Sequence, residues 1–351
     1  MRTPLVVAAH LLVAASPLFG QAARSYAVAG NDVAIYNLAG EVTVRGGSGK
    51  AVTVEVTPTG RDAGRLSVDS GAILGVQTLR IVYPSDDILY PPLGHGSNTT
   101  LTIRDDGTWG GSDDSPHHRS EGRRIRIRGD GSGLEAAANL VVTVPTGQRA
   151  AVFLGVGRVE VANVDGVLRL DAASADVTAR QTRGDLRIDT GSGQIRGENL
   201  EGSVSLDTGS GDVTLTGHRT GRLDIDTGSG SVNASGIDTP DLKVDTGSGD
   251  ITLDGLTAPR ILLDTGSGSV RASLTGAIGT LSVETGSGDV TLRIPDATSA
   301  TLDLETGSGD YSLEMPIQLL EKGEGSLRGQ LGDGKGRIHI ETGSGAIALK
   351  R

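Results

Sequence analysis

The 351-residue chain has no cysteine, so no disulfide can staple it, no thiol can attack a substrate and no lipid-bearing cysteine can follow a leader. Aromatic residues make up 2 % of it, which leaves a narrow aliphatic core and argues against the Trp/Tyr platform on which sugars stack. Positive charge is in the minority: 32 Lys and Arg face 43 Asp and Glu, for a net charge of −11. A nucleic-acid partner needs a basic face, so this balance argues against one and leaves cations, cationic polymers or plain solubility. Beyond the first twenty or so residues no long apolar run occurs, so the mature chain should have no membrane span. What abounds is glycine, 54 residues without a three-residue period, which excludes collagen and fits a turn-dense β protein.

The glycines keep time. Thr-Gly-Ser-Gly occurs eight times, starting at Thr190, Thr208, Thr227, Thr246, Thr265, Thr285, Thr306 and Thr342. The first seven copies stand 18 to 21 residues apart and the last gap is 36, about two periods, as if one rung had lost its signature. An acid precedes every copy: Asp189, Asp207, Asp226, Asp245, Asp264, Glu284, Glu305 and Glu341. Before the acid sits an alternating apolar pair such as Leu223/Ile225 or Leu242/Val244, and after the glycines comes another such as Val232/Ala234 or Ile251/Leu253. Alternation with period 2 predicts half-buried strands, and Gly-Ser-Gly predicts a tight turn that uses glycine's access to positive φ. Two short strands and two turns cannot bury a face alone, but stacked copies can. The fold class expected is all-β, a parallel β-solenoid (β-helix) of about 19-residue rungs roughly 4.8 Å apart. A finer pattern lies beneath. Asp212, Ser231, Asp250, Ser269 and Asp289 alternate, as do Leu215, Ala234, Leu253, Ala272 and Leu292, which predicts a two-rung unit of about 38 residues with large over small in the core.

Residues 1–22 read as a secretory signal peptide: Arg2, a mostly apolar stretch from Leu5 to Phe19, then Gly20-Gln21-Ala22 at the cleavage site. Export to the periplasm, the cell surface or beyond follows. Residues 23–150 alternate like strands without the signature and read as a divergent N-terminal β region, either diverged rungs or the cap that solenoids need. Inside it, 84–122 reads as a long polar loop in which only Thr100 to Arg104 has strand character. That loop holds the lone Trp109 and His95, His117 and His118. Residues 151–351 read as the regular repeats.

No catalytic or cofactor-binding residue is assigned. Asp-Thr-Gly-Ser surrounds the aspartates of pepsin-like proteases, but that chemistry needs two copies facing across a cleft, not eight in series with three carrying Glu. The preceding acids would stack at one rung spacing, repelling by roughly 0.9 kcal/mol per neighbour in water. Weak Ca²⁺ binding along them, aided by Asp212, Asp250 and Asp289, is one way to relieve that. Asp113, Asp114, His117 and His118 have loose metal-ligand spacing and fit a solvated loop better. Arg128-Gly129-Asp130 and Arg183-Gly184-Asp185 spell an integrin tripeptide that a chain rich in these residues generates by chance. Gly46-Gly47-Ser48-Gly49-Lys50 is no phosphate loop, since Ala51 and Val44 break the motif.

The recurring Leu-x-Ile-Asp-Thr-Gly-Ser-Gly-Asp-Val-x-Leu pattern behind a leader resembles a bacterial putative-adhesin family of the toastrack β-solenoid kind. The clearest match runs from about Arg158 to Lys350, with Asn139 to Pro145 as a lead-in, and leaves the 84–122 segment outside it. The resemblance implies an envelope-associated adhesion, binding or structural module that is not an enzyme, with an unknown envelope or surface ligand and no metal or cofactor residues to carry over. Two other readings stay open: an envelope-stress sensor or partner-binding module using the 84–122 loop, and a polysaccharide-active enzyme on a β-helix.

Overall fold

The structure, a computed structural model, describes residues 22–110 and 122–351. The signal-peptide reading and the candidate ligands Asp113, Asp114, His117 and His118 lie outside the described residues.

Alternating apolar residues make parallel strands that stack in register. Leu223 and Ile225 pair with Leu242 and Val244, which pair with Ile261 and Leu263, then Leu281 and Val283, all nearly inaccessible. Each such side chain contributes about 1.5–3 kcal/mol by burial. The run after the glycines does the same on the opposite wall, where Leu215, Ala234, Leu253, Ala272 and Leu292 fall in one column. The large-over-small alternation is therefore a packing column. The first three rungs run straight through the corner as long strands, Asp32–Gly47, Arg149–Ala162 and Asp165–Arg180. Later rungs break into two strands, for example Arg222–Thr227 and Val232–Asp238.

The N-terminal region joins this stack. Asp32–Gly47 pairs parallel with Arg149–Ala162, from Asp32↔Arg149 to Arg45↔Ala162. Below it lie Val76–Val82 on one wall and Ala137–Pro145 on the other. Antiparallel strands then cover them: Ser67–Ile73 on the first, and Val52–Thr59 followed by Arg24–Val28 on the second. Reversing the pairing direction ends the parallel ladder, so another copy's rung meets no matching edge there.

The far end overturns the idea of a lost rung. Gly336–Thr342 pairs parallel with Thr280–Thr285 on one side and with Ala300–Thr306 on the other. Ile347–Lys350 likewise sits between Val290–Arg293 and Tyr311–Leu313. The rung at 300–313 is thus laid one place too far out, and the last copy fills the gap. Between them a hairpin, Gln318–Lys322 with Ser326–Leu331, covers the outer edge of Ala300–Thr306. The 36-residue gap holds this cap. A sequence signal for it existed: chain order gives Asp289, Asp310, Ala346, whereas stacking order gives Asp289, Ala346, Asp310 and preserves the alternation.

The 84–122 segment is not one long loop. Asp87–Leu89 and Asn98–Ile103 pair with Arg123–Arg128 in a separate three-stranded side sheet. Its short strands, broken by Pro91-Pro92 and Gly94, gave too little alternation to register as a sheet.

Candidate functional site

Chemistry on a solenoid is decided at its corners and along its outer columns. At the Thr-Gly-Ser-Gly corner each Thr hydroxyl works twice. Thr246 Oγ1 donates to the Gly230 carbonyl of the rung below at 2.9 Å and accepts from Gly249 N at 3.1 Å. The same pair of bonds recurs at Thr227, Thr265 and Thr285, then at Thr342 upon Gly288, and at Thr306 upon Gly345. This is a continuous buried ladder of hydroxyls, and it follows the inserted order of rungs.

The glycines serve a different end from the one expected. Those of the regular copies, such as Gly228, Gly230, Gly247 and Gly249, are not in the positive-φ region. A Cβ on Gly249 would stand 1.9 Å from the Gly230 carbonyl oxygen, and one on Gly247 2.3 Å from that of Gly228. Glycine is fixed here by the close stacking of corner on corner. On the lower rungs of this corner Gly40, Gly157 and Gly193 do take positive φ, at 136 to 142°, but the left-handed φ of 53 to 72° belongs to the opposite corner, at Asn163, Gln181, Asn199, Gly217, Gly236 and Gly255.

The acids form a column on the outer face immediately before the corner. Register places Asp171, Asp189, Asp207, Asp226, Asp245, Asp264, Glu284, Glu341 and Glu305 one above another. Arg169 holds Asp171 at 3.1 Å and Lys243 reaches Asp245 at 3.7 Å. Partial burial first, and the neighbouring carboxylates second, raise the pKa values of Asp207, Asp226 and Asp264 above the usual carboxylate range. Glu fits as well as Asp at this position because the side chain points to solvent instead of capping the turn. Capping is done elsewhere: Asp212, Asp250 and Asp289 accept the main-chain N–H of Ser231, Ser269 and Ala346 at 2.8–2.9 Å. One carboxylate per two rungs suffices for this, and spacing them so avoids stacking charge on charge. Among the described residues no three or more His, Asp or Glu converge to hold a metal ion. The carboxylates stand in line.

On the lowest rungs this column changes character. Tyr36 and Phe153 occupy the acid's position and stack with ring centroids 4.5 Å apart. Trp109 meets Tyr36 edge-on at 5.2 Å and is 6 % exposed. Tyr83 joins the same cluster region, donating to Asn37 Oδ1 at 2.8 Å, and burial holds its phenol well above the usual range. Five of the eight aromatics, Tyr36, Tyr83, Tyr90, Trp109 and Phe153, lie buried in the core shared with the side sheet. Trp109 is an anchor for the side sheet. Composition alone could not place this cluster, because its members are far apart in sequence.

The side sheet packs its inner residues on the rod corner: a Cβ on Gly155 would meet Leu101 Cδ1 at 2.9 Å and Ile127 Cδ1 at 3.1 Å. A pocket of about 420 Å³ opens between this sheet and the strand Val76–Val82, lined by Leu38, Arg80, Ile103, Arg104 and Trp109 among others. Its charges neutralise one another, Arg80 being held by Asp69 at 2.7 Å. His95 stands beside Asp130 at 2.5 Å on the sheet's exposed rim. Among the described residues no helix is long and apolar enough to cross a membrane.

No curated protein matches the sequence. Two solved structures align over most of the chain. A putative cell adhesion protein from Clostridium sporogenes is 10 % identical, covering 94 % of this chain and 98 % of that one at a TM-score of 0.22. A putative adhesin from Bacteroides fragilis is 13 % identical, covering 93 % and 96 % at 0.38. At these scores neither likeness carries weight for function. The family profile Toastrack DUF4097 matches residues 97–350, which takes in two strands of the side sheet that the repeat pattern had seemed to leave out. Nearly all β, built on a long parallel ladder and matched over most of its length, the chain belongs to the toastrack DUF4097 family.

Proposed function

We propose that this protein is an exported, non-enzymatic adhesion or binding module of the bacterial envelope, a stiff rod that meets its ligand along its length. The observation that carries this is the column of nine carboxylates repeating at a single rung spacing. Catalysis requires unlike groups converging on one point. A solenoid that sets like groups in line suits a repetitive or multivalent ligand, where each rung adds a small increment. The ligand's chemistry is cationic, or anionic and bridged by weakly held divalent cations. A calorimetric Ca²⁺ titration without heat, together with an unchanged Tm, discards the bridging part.

Deleting the two-rung unit 231–268 tests the proposal. It joins Gly230 to Ser269, keeps the Asp/Ser and Leu/Ala alternation, and shortens the rod without changing its ends. Retention of the purified protein on envelope fractions should fall in graded fashion with each unit removed. Retention that does not change with rod length would sink the lengthwise reading.

A further inference from the structure

The side sheet carries a concentrated run of arginines on an acidic molecule. Its central strand Arg123–Arg128 reads Arg-Arg-Ile-Arg-Ile-Arg. Ile125 and Ile127 are fully buried, so alternation turns Arg124, Arg126 and Arg128 to the opposite side. Their cross-strand neighbours on Asn98–Ile103 are uncharged: Thr102 beside Arg124, Thr100 beside Arg126 and Asn98 beside Arg128. On the other flank a single carboxylate, Asp87, is shared by Arg126 at 3.6 Å and Arg128 at 3.5 Å. Among the described residues Arg124 has no ion pair. Because the inner face is seated on the rod corner at Gly155, the arginine face points away from its own rod.

We propose that this arginine face docks on the carboxylate column of a second copy of the chain. Opposite charge on two surfaces of one molecule is the basis, and the spacing agrees. Arg124 and Arg128 are four residues apart on a strand, about 13–14 Å, while carboxylates three rungs apart are separated by about 14 Å. The three guanidiniums span four carboxylates. The contact relieves what each surface lacks: the column gains cations against its own repulsion, and Arg124 gains a partner. The two surfaces differ, so the contact is heterologous, head-to-tail. Its extent depends on concentration and salt. The occupant goes beyond the lengthwise-binding proposal. It uses the same column but needs no envelope ligand, so either can fail while the other stands.

Sedimentation velocity on the full chain tests it. Wild type should associate at about 10 mM salt, where screening reaches only past roughly 30 Å, and dissociate at about 1 M, where it sets in within roughly 3 Å. Arg124→Glu/Arg126→Glu/Arg128→Glu should sediment as monomer at low salt, an apparent association constant at least about tenfold weaker. So should Asp189→Asn/Asp207→Asn/Asp226→Asn/Asp245→Asn/Asp264→Asn. Mixing the two variants should restore a dimer and nothing larger, because the second still has its arginine face and the first its column. A wild type that stays monomeric at low salt overturns the proposal, as does association that survives the arginine changes, or a mixture that does not pair. Loss of retention on a dextran sulfate matrix in the arginine variant, with no self-association of wild type, would assign the face to an anionic polymer instead. The substituted side chains are all at least partly exposed, and circular dichroism melts confirm that each variant is folded.

Discussion

The two corners of each rung solve different problems, and only one of them leaves a signature. At the Thr-Gly-Ser-Gly corner, backbone lies on backbone, with carbonyl oxygens about where a Cβ would have to go: 1.9 Å at Gly230, Gly249, Gly268 and Gly288. No other residue fits, so the letters repeat. At the opposite corner the demand is a left-handed backbone, at φ of 53 to 72° in Gln181, Asn199, Gly217, Gly236 and Gly255. There is room, since a Cβ on Gly236 would meet nothing nearer than 3.9 Å. Asn and Gln serve there as well as Gly, and the sequence drifts. The left-handed residue also turns the next side chain inward, producing a third buried column of Val164, Thr182, Leu200, His218, Ile237 and Leu256.

Substitutions should separate the corners, the largest effect first. Gly249→Ala forces a methyl into the carbonyl of Gly230 and should destabilise by on the order of 3 kcal/mol or more, read as a fall in Tm. Next comes Thr246→Val, which keeps the shape but removes one donor and one acceptor of the buried ladder, at about 1–3 kcal/mol. His218→Leu acts at the other corner with the opposite sign. His218 is fully buried in an aliphatic column and neither ring nitrogen has a hydrogen-bond partner. The Gly221 and Leu200 main chain nearby favours the charged ring without reaching bonding geometry, and burial wins, so the pKa is lowered. Leu matches Leu200 below and should stabilise by about 1–2 kcal/mol at neutral pH. Gly255→Asn should cost least, under about 1 kcal/mol, because Asn tolerates the left-handed region.

Acid sharpens the same contrast. The unfolded chain protonates His218 near its ordinary value of 6.5 while the folded chain resists. Stability is therefore present above that value and is lost as pH falls through it. The column does the reverse. Asp207, Asp226 and Asp264 have raised folded pKa values, so the folded state takes up protons first. The stability this brings is present below the ordinary value of 3.8 and lost as pH rises through the folded values. Wild type should lose Tm from pH 7 toward 5.5, and His218→Leu should flatten that stretch. A slope unchanged in the variant would assign it to other groups.

How much could be read from the letters follows from this physics. The rung period, the parallel register and the alternating core column were legible because steric demands repeat them. The role of the glycines is not legible, since stacking and positive φ both select Gly and the sequence does not say which. The 36-residue gap does not by itself show an inserted last rung, because chain order and stacking order need not agree; only the Asp289, Ala346, Asp310 alternation carries that signal. The side sheet and its aromatic anchor were illegible for another reason: Tyr36, Trp109 and Phe153 come together only in the fold. The carboxylates are visible one by one, whereas the arginine run acquires a face only through its pairing in the side sheet.

A cysteine-free chain allows a direct test of the stacking order. Ser282, His339 and Asp303 occupy one outward column, with His339 in the middle. Neighbouring rungs are about 4.8 Å apart, within disulfide reach, while rungs two apart are about 10 Å and out of reach. Under mild oxidation Ser282→Cys/His339→Cys and His339→Cys/Asp303→Cys should each cross-link, and Ser282→Cys/Asp303→Cys should not. A rapid Ser282→Cys/Asp303→Cys cross-link, with Ser282→Cys/His339→Cys unreactive, would mean that the rungs stack in chain order and would contradict this ladder.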